Sequence, residues 1–388
     1  MKNSKKIFYW SPSLVKIATN QAVIQSAKSL IKYDKNFIVS IINFFGEYQD
    51  YEEDILRNKI LLKNFYKKKL FKFFPKHGFL KSRLTFILIF ILGLFPLFNL
   101  LKKIKPNYLI IHLITSLPLT LILFFNFETK FILRISGFPK LNFLRKFLWK
   151  LSLKKVHAVT CPTKATRDYI ISLNLVDEKK IFLLSDPIIN INKIDNLKKE
   201  KIQIEKRNFI FGAGRLTKQK NFELMIDGFQ KIHKKYQDID LIIAGDGELK
   251  SKLINKTKKL GLEKRIIFLG YQKNVYQYMS KSICFLLTSL WEDPGFVIVE
   301  AAFCKTPIIT SNCYNGPKEI IPNNDYGYIF ESDNLYSLEK QLNNFLIDNQ
   351  NHKDKIEHKK INALKNIKKF TNFRHYLALK NILITTSN

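Results

Sequence analysis

The feature that most constrains this chain is an alternation of strand-like and helix-like segments that fills its first half, breaks at a polar stretch, and then starts again. In the first half the short apolar runs Lys6–Trp10, Phe37–Asn43, Tyr108–His112, Phe131–Ile135, Ala158–Cys161 and Ile181–Leu184 have strand length. Helical spacing lies between them, from about Leu14 to Lys32 and from Lys164 to Ser172, and Ser185, Asp186 and Pro187 end the half. Residues 190–207 (NINKIDNLKKEKIQIEKR) read as a linker. The pattern then resumes with strands Asn208–Gly212, Asp240–Ala244, Arg265–Leu269, Cys284–Thr288, Pro307–Thr310 and Gly327–Phe330. Helices are expected at Phe222–Tyr236, Leu249–Leu260 and Val297–Cys304, and from Leu335 onward the chain is mostly helical. Strands that alternate with helices pair in parallel, because each crossover helix returns the chain to the same edge. The expectation is α/β: two doubly wound parallel-sheet domains, 1–189 and 208–369, facing across a cleft. A last helix, 370–388, would pack back on the first domain. The 388 residues suit two domains at roughly 100–200 residues each.

Charge narrows the partners. The chain carries 65 Lys+Arg against 32 Asp+Glu, a formal +33. Nine of those bases are Arg, and the abundance of Lys, Ile, Asn and Phe resembles codon bias, so the total says less than its distribution. From Ile55 to Arg167 there are 23 basic residues and one acidic residue, Glu128. Much of the Phe lies in the same stretch. Lys interleaved with Phe suits an anionic membrane surface, where the ammonium groups meet lipid phosphates and the rings enter the acyl boundary, better than a nucleic-acid groove. Residues 55–105 are the expected membrane-facing region. Within it, Leu84–Leu101 is an 18-residue apolar run with basic flanks, interrupted by Pro96 and Asn99. It is read as interfacial, with burial in the core and a membrane span as the alternatives. Four widely spaced cysteines without a CxxC pair argue against a zinc site and fit a reducing compartment. The N-terminal apolar run is too short for a secretion signal. A cytoplasmic protein at the inner face of the plasma membrane is the expected setting.

Two strand ends carry chemistry. In FIFGAGRLTKQKN (209–221), Gly212 and Gly214 let the backbone turn, and Arg215 and Lys220 bring a forked guanidinium and a mobile ammonium suited to a diphosphate. In SLWEDPGFVIVEAAFCKTPII (289–309), seven residues separate Glu292, in a loop, from Glu300, inside the helix that Pro294 and Gly295 open. The helix start offers N–H groups to phosphate or sugar oxygens. Carboxylates beside it would accept hydrogen bonds from hydroxyls. Hydroxyls and phosphates together describe a nucleotide sugar. Each feature alone could equally be solvated surface. Asp238-Ile239-Asp240 resembles a metal-binding DxD, but it precedes a strand and reads as a surface turn.

Together these segments resemble the family 4 glycosyltransferases, which have the GT-B fold of two Rossmann-like domains. GAGRLTKQKN looks like their phosphate-binding loop, AGDGELKSKL (244–253) like their strand-turn-helix, and Glu292 with Glu300 like their E-x7-E signature. SNCYNGPKEII (311–321) resembles their Gly-Pro-x-Glu loop. In the first half NYLIIHLITSLP places His112 where the family often has a sugar-facing histidine, and RISGFP and CPTKAT are looser matches. The usual Gly-rich turn after the first strand is replaced by Ser11, Pro12 and Ser13. The resemblance implies a retaining, metal-independent hexosyltransferase with no cofactor besides its nucleotide-sugar substrate, UDP by family frequency. Its roles would be His112, Arg215, Lys220 and Glu292 in catalysis, and Gly214, Gly245, Gly295, Phe296 and Glu300 in donor binding. The acceptor would be a lipid-linked or cell-envelope glycan. A GT-B epimerase or hydrolase and a nucleic-acid-binding protein are the alternatives.

Overall fold

The computed structural model describes residues 4–13, 18–66, 79–139, 141–202 and 208–385. The chain forms two compact units, Met1–Pro187 with Asn372–Asn388, and Ile188–Thr371. In the first, strands β1 (Lys5–Trp10), β2 (Phe37–Asn43), β3 (Leu61–Asn64), β4 (Tyr108–Ile111), β5 (Lys130–Arg134), β6 (Ala158–Cys161) and β7 (Ile181–Leu183) form one sheet in the order β3-β2-β1-β4-β5-β6-β7. Every pairing in it is parallel. In the second unit β8 (Asn208–Ala213), β9 (Ile239–Ala244), β10 (Ile266–Gly270), β11 (Cys284–Leu287), β12 (Ile308–Ser311) and β13 (Tyr328–Phe330) follow the order β10-β9-β8-β11-β12-β13, also parallel throughout.

Parallel strands are covered on both faces, so successive side chains feed two different cores. On β1, Phe8 and Trp10 enter one cluster while Ile7 and Tyr9 enter the other. On β8, Ile210 enters one core and Phe209 and Phe211 the opposite one. The strand order reverses between β1 and β4 and again between β8 and β11. At such a reversal the loops leave in opposite directions and open a crevice at the strands' carboxyl ends. His112 follows β4, and Gly214, Arg215 and the 288–295 loop follow β8 and β11. The candidate residues therefore occupy the two switch points.

Several segments differ from the reading above. The expected linker opens with a helix, Ile191–Leu197, capped by the Asn190 side chain and holding Ile194 in the second unit's core. The chain passes between units near residues 187–188. The spacing Ile191, Ile194, Leu197 is one helical face, obscured by charges around it. Residues 203–207 of that linker, 14–17 of the first expected helix and 67–78 of the basic region lie outside the described residues. Asp240 is not in a surface turn: it lies within β9, buried, with its carboxylate 2.6 Å from Arg265 Nε. Strand β3 and the helices Glu52–Arg57 and Phe143–Ser152 were not anticipated.

The last helix, Asn372–Thr385, packs on Ala18–Tyr33 of the first unit. Tyr376, Leu379, Ile382 and Leu383 share a core with Val23, Ala27 and Leu30. The Tyr108 hydroxyl donates to the Leu383 carbonyl at 2.6 Å, and Lys380 lies 2.8 Å from Asp34.

Candidate functional site

The second unit's site is built from two loops that cross at the β8/β11 reversal. After β8 the Gly214 N–H donates to the Ala244 carbonyl (3.0 Å) and the Leu216 N–H to the Asp246 carbonyl (2.9 Å). The loop after β9 passes so close that a Cβ on Gly245 would sit 1.9 Å from the Gly214 carbonyl oxygen. Only glycine fits there. A single 3-10 turn, Lys218–Lys220, then brings the chain back toward β11. Thr288 Oγ1 donates to the Asn221 carbonyl (2.9 Å), the Leu290 N–H to the Gln219 carbonyl (2.8 Å) and Gln219 Nε2 to the Trp291 carbonyl (2.9 Å).

These bonds fix Lys220 against Glu292. Lys220 Nζ lies 2.5 Å from Glu292 Oε1, which also accepts from Ser289 Oγ at 2.6 Å. The two charged side chains are 12% and 4% exposed, so the pair sits largely out of water, where attraction is strong and an unpartnered charge is costly. Arg215 stays accessible, reaching Gln219 Oε1 at 3.4 Å. Gly295 has φ +88°, a left-handed conformation that glycine takes without strain, and it opens the helix Phe296–Phe303. The N-cap glycine has no side chain of its own, so the helix start brings backbone N–H groups close to Glu292.

Glu300 lies on the second turn of the same helix. Its Oε1 accepts the Tyr276 hydroxyl at 2.8 Å. Burial pushes the Glu300 carboxyl up to about 7, with the Tyr276 hydrogen bond opposing. Burial, reinforced by Glu300, raises the Tyr276 hydroxyl well beyond the ordinary tyrosine range. Gly245, Gly295, Phe296, Glu292 and Glu300 all belong to this unit, together with Arg215 and Lys220.

His112 belongs to the other unit. Its N–H donates to the Trp10 carbonyl at 2.9 Å, placing it beside the Ser11-Pro12-Ser13 turn. Its imidazole is held well below the usual histidine range by burial, then by the charge of Arg134 and by His375. Sequence reasoning missed the polar cluster behind it. Arg134, 2% exposed, donates to Asp186 at 2.6 Å and to the Leu184 carbonyl at 2.5 Å. His375 bridges the Ser185 carbonyl and Ser26 Oγ, each at 2.7 Å, and Ser26 meets the Tyr9 hydroxyl at 2.8 Å. Arg134 could have been flagged, since arginine is scarce and this one sits at a strand end. The contacts of Ser26 and His375, 349 residues apart in sequence, left no local signal. Ser289 was also unmarked.

The fold is the two Rossmann-like α/β domains of the GT-B class. It is shared with Anabaena Alr3699/HepE, solved in complex with UDP and glucose, at TM-score 0.71 over 98% of this chain and 100% of that one; at 16% identity the likeness is one of fold. Residues 193–362 match the model of the family described as glycosyl transferases group 1. An uncharacterized glycosyltransferase of Methanocaldococcus jannaschii is 30% identical over 247 residues, 58% of this chain and 61% of that protein. The N-acetylgalactosamine-N,N'-diacetylbacillosaminyl-diphospho-undecaprenol 4-alpha-N-acetylgalactosaminyltransferase of Campylobacter jejuni is 28% identical over 209 residues, 54% of this chain and 56% of that protein. The chain thus covers less than two thirds of the length of these relatives.

Lys220→Ala should destabilise the second unit by about 3 kcal/mol, because Glu292 is left buried without its cation. Adding Glu292→Gln to that variant should recover much of the loss in urea unfolding. Strictly additive effects would mean the pair is not coupled. Glu300 gives a pH signature. The folded protein holds its proton more tightly than the unfolded chain, so its stabilising contribution is complete below about pH 4.5 and is lost as pH rises to about 7. Wild type should lose on the order of 2 kcal/mol relative to Glu300→Gln across that window. Parallel stability curves for the two proteins would contradict the assignment.

Proposed function

We propose that this chain is a family 4 glycosyltransferase that moves a hexose from a UDP-sugar, with retention, onto a lipid-linked or cell-envelope glycan at the cytoplasmic face of the membrane. The observation that carries the reading is the Lys220–Glu292 contact. It joins two motifs 72 residues apart into one cluster, beneath an uncapped helix start, at a switch point. Support for the donor comes from the UDP and glucose held by the Anabaena protein, and for the acceptor from the diphospho-undecaprenol in the Campylobacter enzyme's name.

In this reading the helix start, with the amides of Gly295 and Phe296, receives the donor's oxygens. Arg215 and Lys220 stabilise the negative charge that builds on the diphosphate as the sugar–phosphate bond breaks. The bonding electrons leave with the diphosphate, and the acceptor hydroxyl forms the new bond to the anomeric carbon. Retention requires attack on the face from which the diphosphate departs, so its leaving oxygen is the nearest base for the hydroxyl proton. Glu292 accepts donor-sugar hydroxyls. Glu300, already paired with the Tyr276 hydroxyl, accepts the ribose hydroxyls. Gly214 and Gly245 let the backbone approach the phosphates. His112, kept neutral, contributes a hydrogen bond to the donor sugar without adding charge. No metal is required in this scheme, since Arg215 and Lys220 provide the positive charge. Membrane attachment through the basic, Phe-rich region places the enzyme beside an acceptor that cannot leave the bilayer.

The test is transfer of label from UDP-hexoses to polyprenyl-diphosphate glycans in detergent. Label should move to the lipid with its anomeric configuration kept, and Glu292→Gln should lower kcat by on the order of 100-fold. Release of free sugar or an epimerised donor, with no labelled lipid, would instead mean a hydrolase or epimerase.

A further inference from the structure

The segment Phe86–Ile104 is long and apolar enough to cross a bilayer by length and composition, yet its packing ties it to its own domain. Ile89 and Leu97 on the helix Phe79–Asn99 are fully buried, and Leu100 and Leu101 beyond it are nearly so. Between them Gly93 meets the neighbouring helix Ser116–Phe124 so closely that a Cβ would lie 2.6 Å from the Leu117 side chain. Pro96 has no N–H for the Leu92 carbonyl one turn back. The Tyr66 hydroxyl donates to that carbonyl instead, at 2.6 Å. A domain side chain thus supplies the hydrogen bond that the proline removes, and withdrawing the helix to span a membrane would break all of these contacts.

The opposite stripe of the same helix is bare. Phe86, Ile87, Ile91 and Phe95 face outward, Phe95 72% exposed, whereas Phe90 packs against the core. Two helices packed in series beside it also carry exposed apolar residues. Helix Ser116–Phe124 ends in Phe124, also 72% exposed, and packs beside Phe143–Ser152. That helix turns Phe143, Leu144 and Phe147 outward, Phe143 84% exposed, and alternates them with exposed Lys146 and Lys150 while burying Trp149. Lys102 and Lys103 add exposed cations just after the apolar helix. Across the whole Ile55–Arg167 stretch the one carboxylate, Glu128, is already paired with Lys105. Exposed rings amid lysines, with no free acid among them, complement an anionic lipid surface.

We propose that these three helices form one lipid-binding face that enters a single leaflet of an anionic bilayer, with Phe143–Ser152 as an anchor of its own and none of the three crossing. The proposal rests on the membrane part of the function above and adds both the second anchor and the depth. The full chain is floated with vesicles of phosphatidylcholine containing phosphatidylglycerol, and with phosphatidylcholine alone. Wild type should bind the anionic vesicles. The variant Phe143→Ser/Leu144→Ser/Phe147→Ser, which removes only outward side chains, should lose on the order of tenfold or more in partitioning. Unchanged flotation overturns the second anchor, and so does a change in oligomeric state in place of flotation, which would make the face a contact between copies. A fluorophore on Phe95→Cys should be quenched by lipids labelled near the headgroups; strongest quenching at the bilayer centre overturns the single-leaflet depth. UDP binding, measured on the same samples without vesicles, reads the transferase assignment separately, so either part can fail alone.

Discussion

Parallel strand pairing is the constraint from which the rest of this molecule follows. Each parallel neighbour requires a crossover, each crossover covers a face of the sheet, and the strands must then be apolar on both sides. Polar chemistry is left only at the strand ends. Reversal of strand order at β1/β4 and β8/β11 then separates the loops at two places, where open α/β sheets carry their ligands. His112 and Arg134 lie near the first of those places, and Arg215, Gly214, Gly245, Glu292 and Glu300 near the second.

At the second unit's reversal, the structure shows one charged cluster rather than two neighbouring motifs. Lys220 and Glu292 neutralise each other, so neither is left as a buried lone charge. A diphosphate arriving at the helix start would compete with Glu292 for Lys220, and a sugar hydroxyl would compete with Lys220 for Glu292. A donor carrying both groups satisfies the two residues at once, whereas inorganic phosphate or a free sugar satisfies one and strands the other. Under the proposed function, this arrangement would favour the complete nucleotide sugar over its fragments.

Most of the fold was legible because a doubly wound sheet writes itself as short apolar runs between helices, and β1, β2, β6, β8 and β9 fall where those runs lie. The loops of the second unit were legible because glycine at a close approach and paired carboxylates leave residue-level marks, as at Gly245 and Glu292. What escaped reading did so for physical reasons. Helix Phe143–Ser152 went unread although Phe143, Leu144, Phe147, Leu148 and Leu151 have helical spacing; much of that stripe faces outward instead of into the core. Helix Ile191–Leu197 hides a three-residue apolar stripe among charges. Asp240 is a buried partner of Arg265, a contact across strands that no local pattern records. The cluster behind His112 joins Ser26, Arg134, Asp186 and His375 from four separated segments, and only the folded first unit brings them together.

In the proposed function the β8/β11 reversal binds a nucleoside diphosphate. The most direct measurement is thermal unfolding with UDP, GDP or ADP, for wild type and Arg215→Ala side by side. A ligand that binds only the folded state raises the melting temperature, by an amount set by its concentration over its Kd. UDP should raise the melting temperature of wild type, and Arg215→Ala should lose that rise. Equal shifts in the two proteins, or no shift with any of the three nucleotides, would contradict it.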